Sequence, residues 1–380
     1  MKIILEAISA KKNGGGGFQI AYNFIKASKQ HKDINWLYFV SEDLDTEIGD
    51  MFVEERDKTY FVFPTQLQLK TYSKSQRRLD SLIVVLKPDV LFSIIAPSFF
   101  RIKCKEVMRC ANAWNYVQNV NEYAWSTQTV KQRMITRLKA AITCHYMKNT
   151  KYFVTQTETA KKSIIKLTKT DAKNVRVVPN VLPAVFNNVQ VFKHKEDTLT
   201  HIVYVSAPYP HKNIDIIPEV ARILIDKNIS NFQFHVTIPE NSLFISQFNK
   251  LLSKYSVERN VVNEGFQTQS QLIDLYSKCD IFFFPSLLET FSASLLEAMF
   301  FKMPIVAADF DFNREVAGDS ALYFKPKNAK SAAEKIGRLM ADKALYDDIC
   351  EKEQQRILHY IDYDRYFKDT VDFLKMVGNE

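Results

Sequence analysis

The sequence predicts an α/β protein of two parallel-sheet halves, and three observations predict it. Short, almost wholly apolar runs recur along the 380 residues, separated by stretches of helical periodicity. Strands without polar alternation are those buried on both faces of a parallel sheet. The pattern occurs twice, with an irregular polar stretch at 181–200 between the two sets, as an interdomain linker reads. Composition agrees: 46% hydrophobic and 25% charged residues describe an ordinary globular chain of about two domains.

In the first half a strand at 2–5 leads through the glycine run Gly14 to Gly17 into an amphipathic helix at 18–28. Further strands read at 36–40, 60–63, 90–95, 105–109, 152–155 and 176–180. The second half opens with a strand at 201–205 and continues with strands at 232–236, 260–265, 280–285 and 305–308. Helices are expected at 214–227, at 270–278 and around Glu297, and a last, aromatic-rich one at 363–377. The expected domains are 1–185 and 200–360, Rossmann-like and facing each other across a cleft, with a tail at 361–380. Ligands of such sheets bind beyond the carboxyl ends of the strands.

The glycine run is not a G-x-G-x-x-G, because Gln19 holds the third glycine position. It reads as a turn filler, as a phosphate- or acceptor-facing loop, or, with Glu42 beyond the second strand, as a dinucleotide site.

Residues 285–318 carry the densest signal. The apolar run 281–284 ends at Pro285, and the loop after it enters a helix. A helix start presents free backbone N–H groups and a positive dipole end, which seats a diphosphate. Glu289 in the loop and Glu297 in the helix, eight residues apart, could grip hydroxyls on either side of it. The competing reading is a capping box, Ser294 with Glu297, satisfying orphan N–H groups at the helix start.

The segment resembles the E-x7-E signature of the retaining GT-B glycosyltransferases, the glycosyl transferases group 1 or glycosyltransferase family 4. Glu289 and Glu297, Ala298-Met299, Pro304-Ile305-Val306-Ala307, Asn313-Arg314-Glu315-Val316 and Ala321 to Pro326 fall where that family has them. Where the family has Phe-Gly, this chain has Phe291-Ser292. The resemblance implies a GT-B architecture whose last helix crosses back onto the first domain. It implies transfer of a sugar from a nucleoside diphosphate sugar, UDP- ahead of GDP-, to a glycan or lipid-linked acceptor in cell-surface polysaccharide, lipopolysaccharide or capsule synthesis.

By the same resemblance, Glu289 faces the transferred sugar and Glu297 the ribose. Lys212, in the loop Ser206 to Asn213 with His211, neutralises the diphosphate; the arginine of many relatives is missing, with Pro208 and Tyr209 nearby. Gly15 and Gly16 lie close to the donor phosphate, and Gly265-Phe266 near the base. Thr290, Phe291, Ser292, Ala293 and Leu295 line the donor loop, while Asn112 and Ser98 face the acceptor. Retention implies front-face attack with the leaving phosphate as base.

No His, Cys and carboxylate spacing suggests a metal site, so no cofactor or metal is expected; Asp309-Phe310-Asp311 forms a D-x-D but reads as turn chemistry. Cys104, Cys110, Cys144, Cys279 and Cys350 are an odd set without C-x-x-C spacing, expected as free thiols in a reducing cytoplasm. Glu6 interrupts the N-terminal apolar run too soon for a secretory segment, and no run approaches the ~18 residues of a membrane span.

The net charge of +8 is unevenly spread: residues 1–190 hold 29 Lys and Arg against 16 Asp and Glu, and residues 191–380 hold 22 against 27. The stretch 123–157 has no acid, and Met134, Leu138, Ala141, Ile142 and His145 recur at helical spacing among Lys131, Arg133, Arg137 and Lys139. Such a helix is either a solvated one packed on its domain or a contact for an anionic membrane face or lipid-diphosphate acceptor, peripheral and without insertion. Nucleic acid is disfavoured, since no recognition motif accompanies the charge. Two other function classes share these features: a sugar-nucleotide epimerase or phosphorylase of the same fold, and a non-catalytic sugar-nucleotide or glycan-binding subunit.

Overall fold

The computed structural model describes residues 1–12, 16–65, 69–115, 120–186, 189–191 and 198–380. They form two compact units: Met1–Asn119 with Ile135–Pro179 and Asp364–Glu380, and Val120–Met134 with Asn180–Tyr363.

The first unit holds a seven-stranded parallel sheet of β1 (Lys2–Ala7), β2 (Asn35–Ser41), β3 (Tyr60–Phe63), β4 (Val90–Ser93), β5 (Glu106–Arg109), β6 (Tyr152–Thr155) and β7 (Val175–Val177), in the order β3-β2-β1-β4-β5-β6-β7. β1 lies in the sheet interior, paired to β2 and β4 (Ile4 opposite Leu37 and Leu91). The last strand is shorter than expected because Pro179 offers no N–H to prolong a ladder. The final helix, Tyr363–Asn379, packs its buried Phe367 against Phe24, with ring centres 4.8 Å apart, and stacks it on His31. Phe373, Leu374 and Val377 are fully buried, so the tail completes this unit's core.

The second unit holds a six-stranded parallel sheet of β8 (Thr200–Tyr204), β9 (Phe232–Val236), β10 (Val261–Asn263), β11 (Ile281–Phe284), β12 (Ile305–Ala308) and β13 (Ala321–Phe324), ordered β10-β9-β8-β11-β12-β13. All four β11 residues are buried. Each such aromatic or aliphatic side chain contributes ~1.5–3 kcal/mol through removal from water. The order reverses between β8 and β11, where Ile202 lies opposite Ile281. Loops leaving the carboxyl ends of strands at such a switch point diverge and leave a crevice. The two sheets bear out the expected fold class.

Residues 120–134 cluster with the second unit although they precede the end of the first sheet, and the helix Val130–Lys148 passes from one unit to the other. Sequence patterning carried no sign of this.

Candidate functional site

The switch point of the second sheet brings two loops together. After β8 the chain makes a short 3₁₀ turn, Pro210–Lys212, and Asn213 takes a left-handed conformation (φ 56°). Asparagine tolerates that region better than most residues. After β11, Pro285 ends the strand and the chain runs through Ser286 to Glu289. The loops are stitched: Leu287 N donates to His211 O (2.8 Å), and Asn213 Nδ2 to Pro285 O (3.3 Å). The buried phenol of Tyr204 supports them from β8 by donating to Lys212 O (3.0 Å).

This scaffold places Lys212 Nζ 2.5 Å from Glu289 Oε1, with the two side chains 20% and 13% exposed. Ser286 Oγ donates to the same oxygen at 2.8 Å. Lysine and glutamate are thus joined at a partly buried position that solvent still reaches. A charge-assisted bond of this kind is roughly twice as strong as a neutral one. It also fixes the position of the ammonium. Burial pushes the His211 imidazole down to about 4, with Lys212 adding to the same effect, so the ring is neutral at pH 7. It stacks against Tyr209 with centres 5.8 Å apart.

Glu297 has another setting. It lies in the helix Ala293–Phe300 and accepts from Tyr276 OH at 2.7 Å. Burial raises its carboxyl above the usual range, and the tyrosine bond pulls the other way. The capping-box reading of this glutamate fails here. The N-cap is Ser292, not Ser294; it makes no side-chain cap, and its hydroxyl instead meets Ser294 Oγ (2.8 Å). A complete capping box does occur one helix earlier, Thr268 with Gln271.

The remaining residues expected in the donor loop divide by what they expose. Thr290 and Ser292 are buried, Phe291 packs edge-on against Tyr360, and Leu295 is wholly in the core. Leucine at that position can offer a ligand only its backbone. Ser206 N donates to Thr237 Oγ1, which ties the β8 and β9 loops. Gly265 has φ +70° and its missing Cβ would meet nothing within 4 Å, so backbone conformation rather than space selects glycine. Phe266 beside it is 73% exposed. Asn263 braces that turn, accepting from Ile238 N and Gly265 N and donating to Ile238 O.

In the first unit, Gly16 starts the helix Gly16–Ser28, while Gly14 and Gly15 lie outside the described residues. Ser98 is buried and accepts from Phe100 N; Asn112 is exposed and accepts from Trp114 N at 3.0 Å. Both side chains brace their own turns. Asp309 forms a two-pronged pair with Arg314 (2.6 and 2.9 Å), and Asp311 starts the helix Asp311–Ala317. Among the described residues no group of three or more His, Cys, Asp or Glu could hold a metal ion.

Sequence reasoning missed Ser286, Tyr276 and Asn121. Asn121 Nδ2 donates to Leu287 O at 2.7 Å while its Oδ1 caps the helix Glu122–Ser126. Ser286 stands three residues before Glu289 and could have been found locally; Tyr276 and Asn121 are linked to the site only by the fold.

Residues 187–356 match the family model of the glycosyl transferases group 1. The chain is 25% identical over 186 residues to the O-antigen chain mannosyltransferase RfbU of Salmonella typhimurium, covering 49% of this chain and 50% of that one. It is 30% identical over 158 residues (39% and 42%) to a Campylobacter jejuni N,N'-diacetylbacillosaminyl-diphospho-undecaprenol alpha-1,3-N-acetylgalactosaminyltransferase. The matches span about half the length of these relatives. Among solved structures, a Rickettsia africae glycosyltransferase superposes with a TM-score of 0.73 at 13% identity, covering 99% of this chain and 98% of that one. Anabaena Alr3699/HepE, crystallised with UDP and glucose, gives 0.69 at 14% identity, covering 99% and 100%.

Proposed function

We propose that this chain, a member of the glycosyl transferases group 1 with the GT-B fold, moves a sugar from a nucleoside diphosphate donor to a hydroxyl of a glycan or lipid-linked acceptor. The product is a cell-surface polysaccharide or its lipid-linked precursor. The donor is a UDP-sugar ahead of a GDP-sugar, and the anomeric configuration is retained. The observation that carries this reading is the Lys212–Glu289 pair at the switch point of the second sheet.

Cleavage of the bond between the anomeric carbon and the diphosphate builds negative charge on the leaving group and oxocarbenium character on the sugar. Lys212 supplies a pre-placed cation for the first. The helix start at Ala293, which no side chain caps, supplies N–H groups aimed the same way. Glu289, on the sugar side, offsets the positive character and orients the ring. Glu297, deeper beside Tyr276, takes a ribose hydroxyl. The acceptor hydroxyl attacks the face the diphosphate leaves, and the departing phosphate oxygen takes its proton. No step asks for a metal. The relatives named for O-antigen mannosyl transfer and for transfer to a diphospho-undecaprenol carrier support the acceptor class, and the UDP-bound neighbour supports the nucleotide.

The test is a thermal-shift panel of UDP- and GDP-sugars, followed by hydrolysis and transfer assays with the stabilising donor in excess chelator. Stabilisation by a UDP-sugar, chelator-resistant turnover and an α-linked product from an α-donor are expected. Turnover that needs inorganic phosphate, isomerisation of the donor without transfer, or binding without any turnover would each replace this reading. Chelator loss restored by manganese would make Asp309 and Asp311 ligands.

A further inference from the structure

Leu287 is the point where three parts of the second unit meet. Its N–H donates to His211 O (2.8 Å), in the loop that carries Lys212, and its carbonyl accepts from Asn121 Nδ2 at 2.7 Å. The residue is fully buried, so water cannot replace either partner. It lies two positions before Glu289, and Ser286 on its other side holds the Glu289 carboxylate at 2.8 Å. The direction of the Leu287 carbonyl therefore sets where the glutamate leaves the chain.

Asn121 has a second task. Its Oδ1 accepts from Ala124 N at 2.9 Å and caps the helix Glu122–Ser126. Asp or Ser would fill a cap about as well as Asn. Of these three only the amide places an acceptor and a donor on separate atoms of one short side chain, and here both are used. The segment has other anchors in the same unit. Tyr123 packs edge-on against Phe310, with ring centres 6.0 Å apart, and Lys327 Nζ donates to Ser126 Oγ at 3.0 Å. Loss of the Asn121 donor alone would leave the segment in place and free the Leu287 carbonyl.

We propose that Asn121 is a positioning residue for sugar transfer. By fixing the Leu287 carbonyl it holds the turn 286–289 in the orientation in which Glu289 meets Lys212. It acts through that turn and touches no reacting atom. The proposal rests on the reading that Glu289 faces the transferred sugar. A reacting group displaced by ~1 Å can cost ~100-fold in rate. The bond from Leu287 N to His211 O remains and limits the drift, so a smaller loss is expected.

The test compares wild type with Asn121→Asp and Asn121→Ser, which keep a capping oxygen and lose the amide donor. One readout is hydrolysis of the UDP-sugar that stabilises the chain; the other is amide hydrogen exchange by mass spectrometry without any donor. Both variants should lower kcat about tenfold, with donor KM changing less than about threefold. Exchange over 285–289 should quicken about fivefold or more, while 122–126 keep wild-type protection. For Asn121→Asp, turnover relative to wild type should recover between about pH 8 and about pH 5, as the introduced carboxyl gains a proton and donates to Leu287 O. Asn121→Ser should show no such recovery. Faster exchange at 122–126 only, or wild-type kcat and exchange in both variants, would overturn the proposal and leave Asn121 a helix cap. If the wild-type chain hydrolyses no donor, the transfer reading falls instead, and exchange over 285–289 still decides whether Asn121 holds the turn.

Discussion

Glu289 in the second unit and Glu6 in the first are both removed from bulk water, yet the fold treats them in opposite ways. Glu289 meets a lysine and a serine at a loop junction that keeps some exposure. Glu6 sits in the middle of a sheet at 0% exposure; one oxygen accepts from Ile8 N and the other, Oε2, is buried with no hydrogen-bond partner. Its charged neighbour is a like one, Glu106, which is held by Ser93 and Thr150. Burial, with Glu106 adding to it, pushes the Glu6 carboxyl up to about 8, so it carries a proton at neutral pH. A perturbed acid therefore does not mark a site by itself. An opposite charge and a path to solvent distinguish the glutamate that can meet a substrate from the one that stores a proton.

The largest effect that could break this contrast is on turnover. Glu289→Gln keeps the shape and the serine contact but removes the charge proposed to face the sugar. Its kcat should fall about 100–1,000-fold, with KM for the donor changing far less. A normal kcat would reduce Glu289 to a loop brace.

Glu6→Gln should do the reverse, leaving turnover alone and altering stability. Between the ordinary carboxyl value of 4.5 and about 8, the folded chain holds a proton that the unfolded chain has released. Wild-type stability therefore falls as pH rises through that window. The amide cannot ionise, so the variant should exceed wild type on the order of 2–4 kcal/mol at pH 8 and differ little at pH 4. Parallel melting curves for the two proteins across that range would show that Glu6 is ionised in the fold.

Glu297→Gln should weaken UDP binding about tenfold, one charge-assisted contact, with kcat at saturating donor nearly kept. A fall in melting temperature with unchanged UDP affinity would leave Glu297 only its bond to Tyr276. The smallest expected effect is that of Ser286→Ala, which removes one hydrogen bond to Glu289 and should lower kcat about fivefold. No change there would mean that Lys212 alone positions the glutamate.

The two sheets were legible in the sequence because their strands are apolar without alternation; the run 281–284 is buried at every position. The Lys212 and Glu289 loops were legible as motifs at strand ends. The rest was lost where a side chain takes a distant partner. Ser294 and Glu297 have capping-box spacing, yet Tyr276, 21 residues away, claims the carboxylate. Asn121 reaches Leu287 across 166 residues, and local pattern carries nothing of that. Residues 120–134, inside the expected span 1–185, cluster with the second unit for a related reason: their short helix has an ordinary cap, and only tertiary contacts assign it there.

The central claim is that Lys212 waits beside Glu289 for a diphosphate, and calorimetric titration of UDP into wild-type and Lys212→Ala protein tests it most directly. Loss of a charge-assisted contact is worth roughly 1.5–3 kcal/mol, so UDP affinity should fall at least about tenfold while the melting temperature without UDP stays within a few degrees. Equal affinity in the two proteins would contradict the account and leave the lysine as a partner of Glu289 alone.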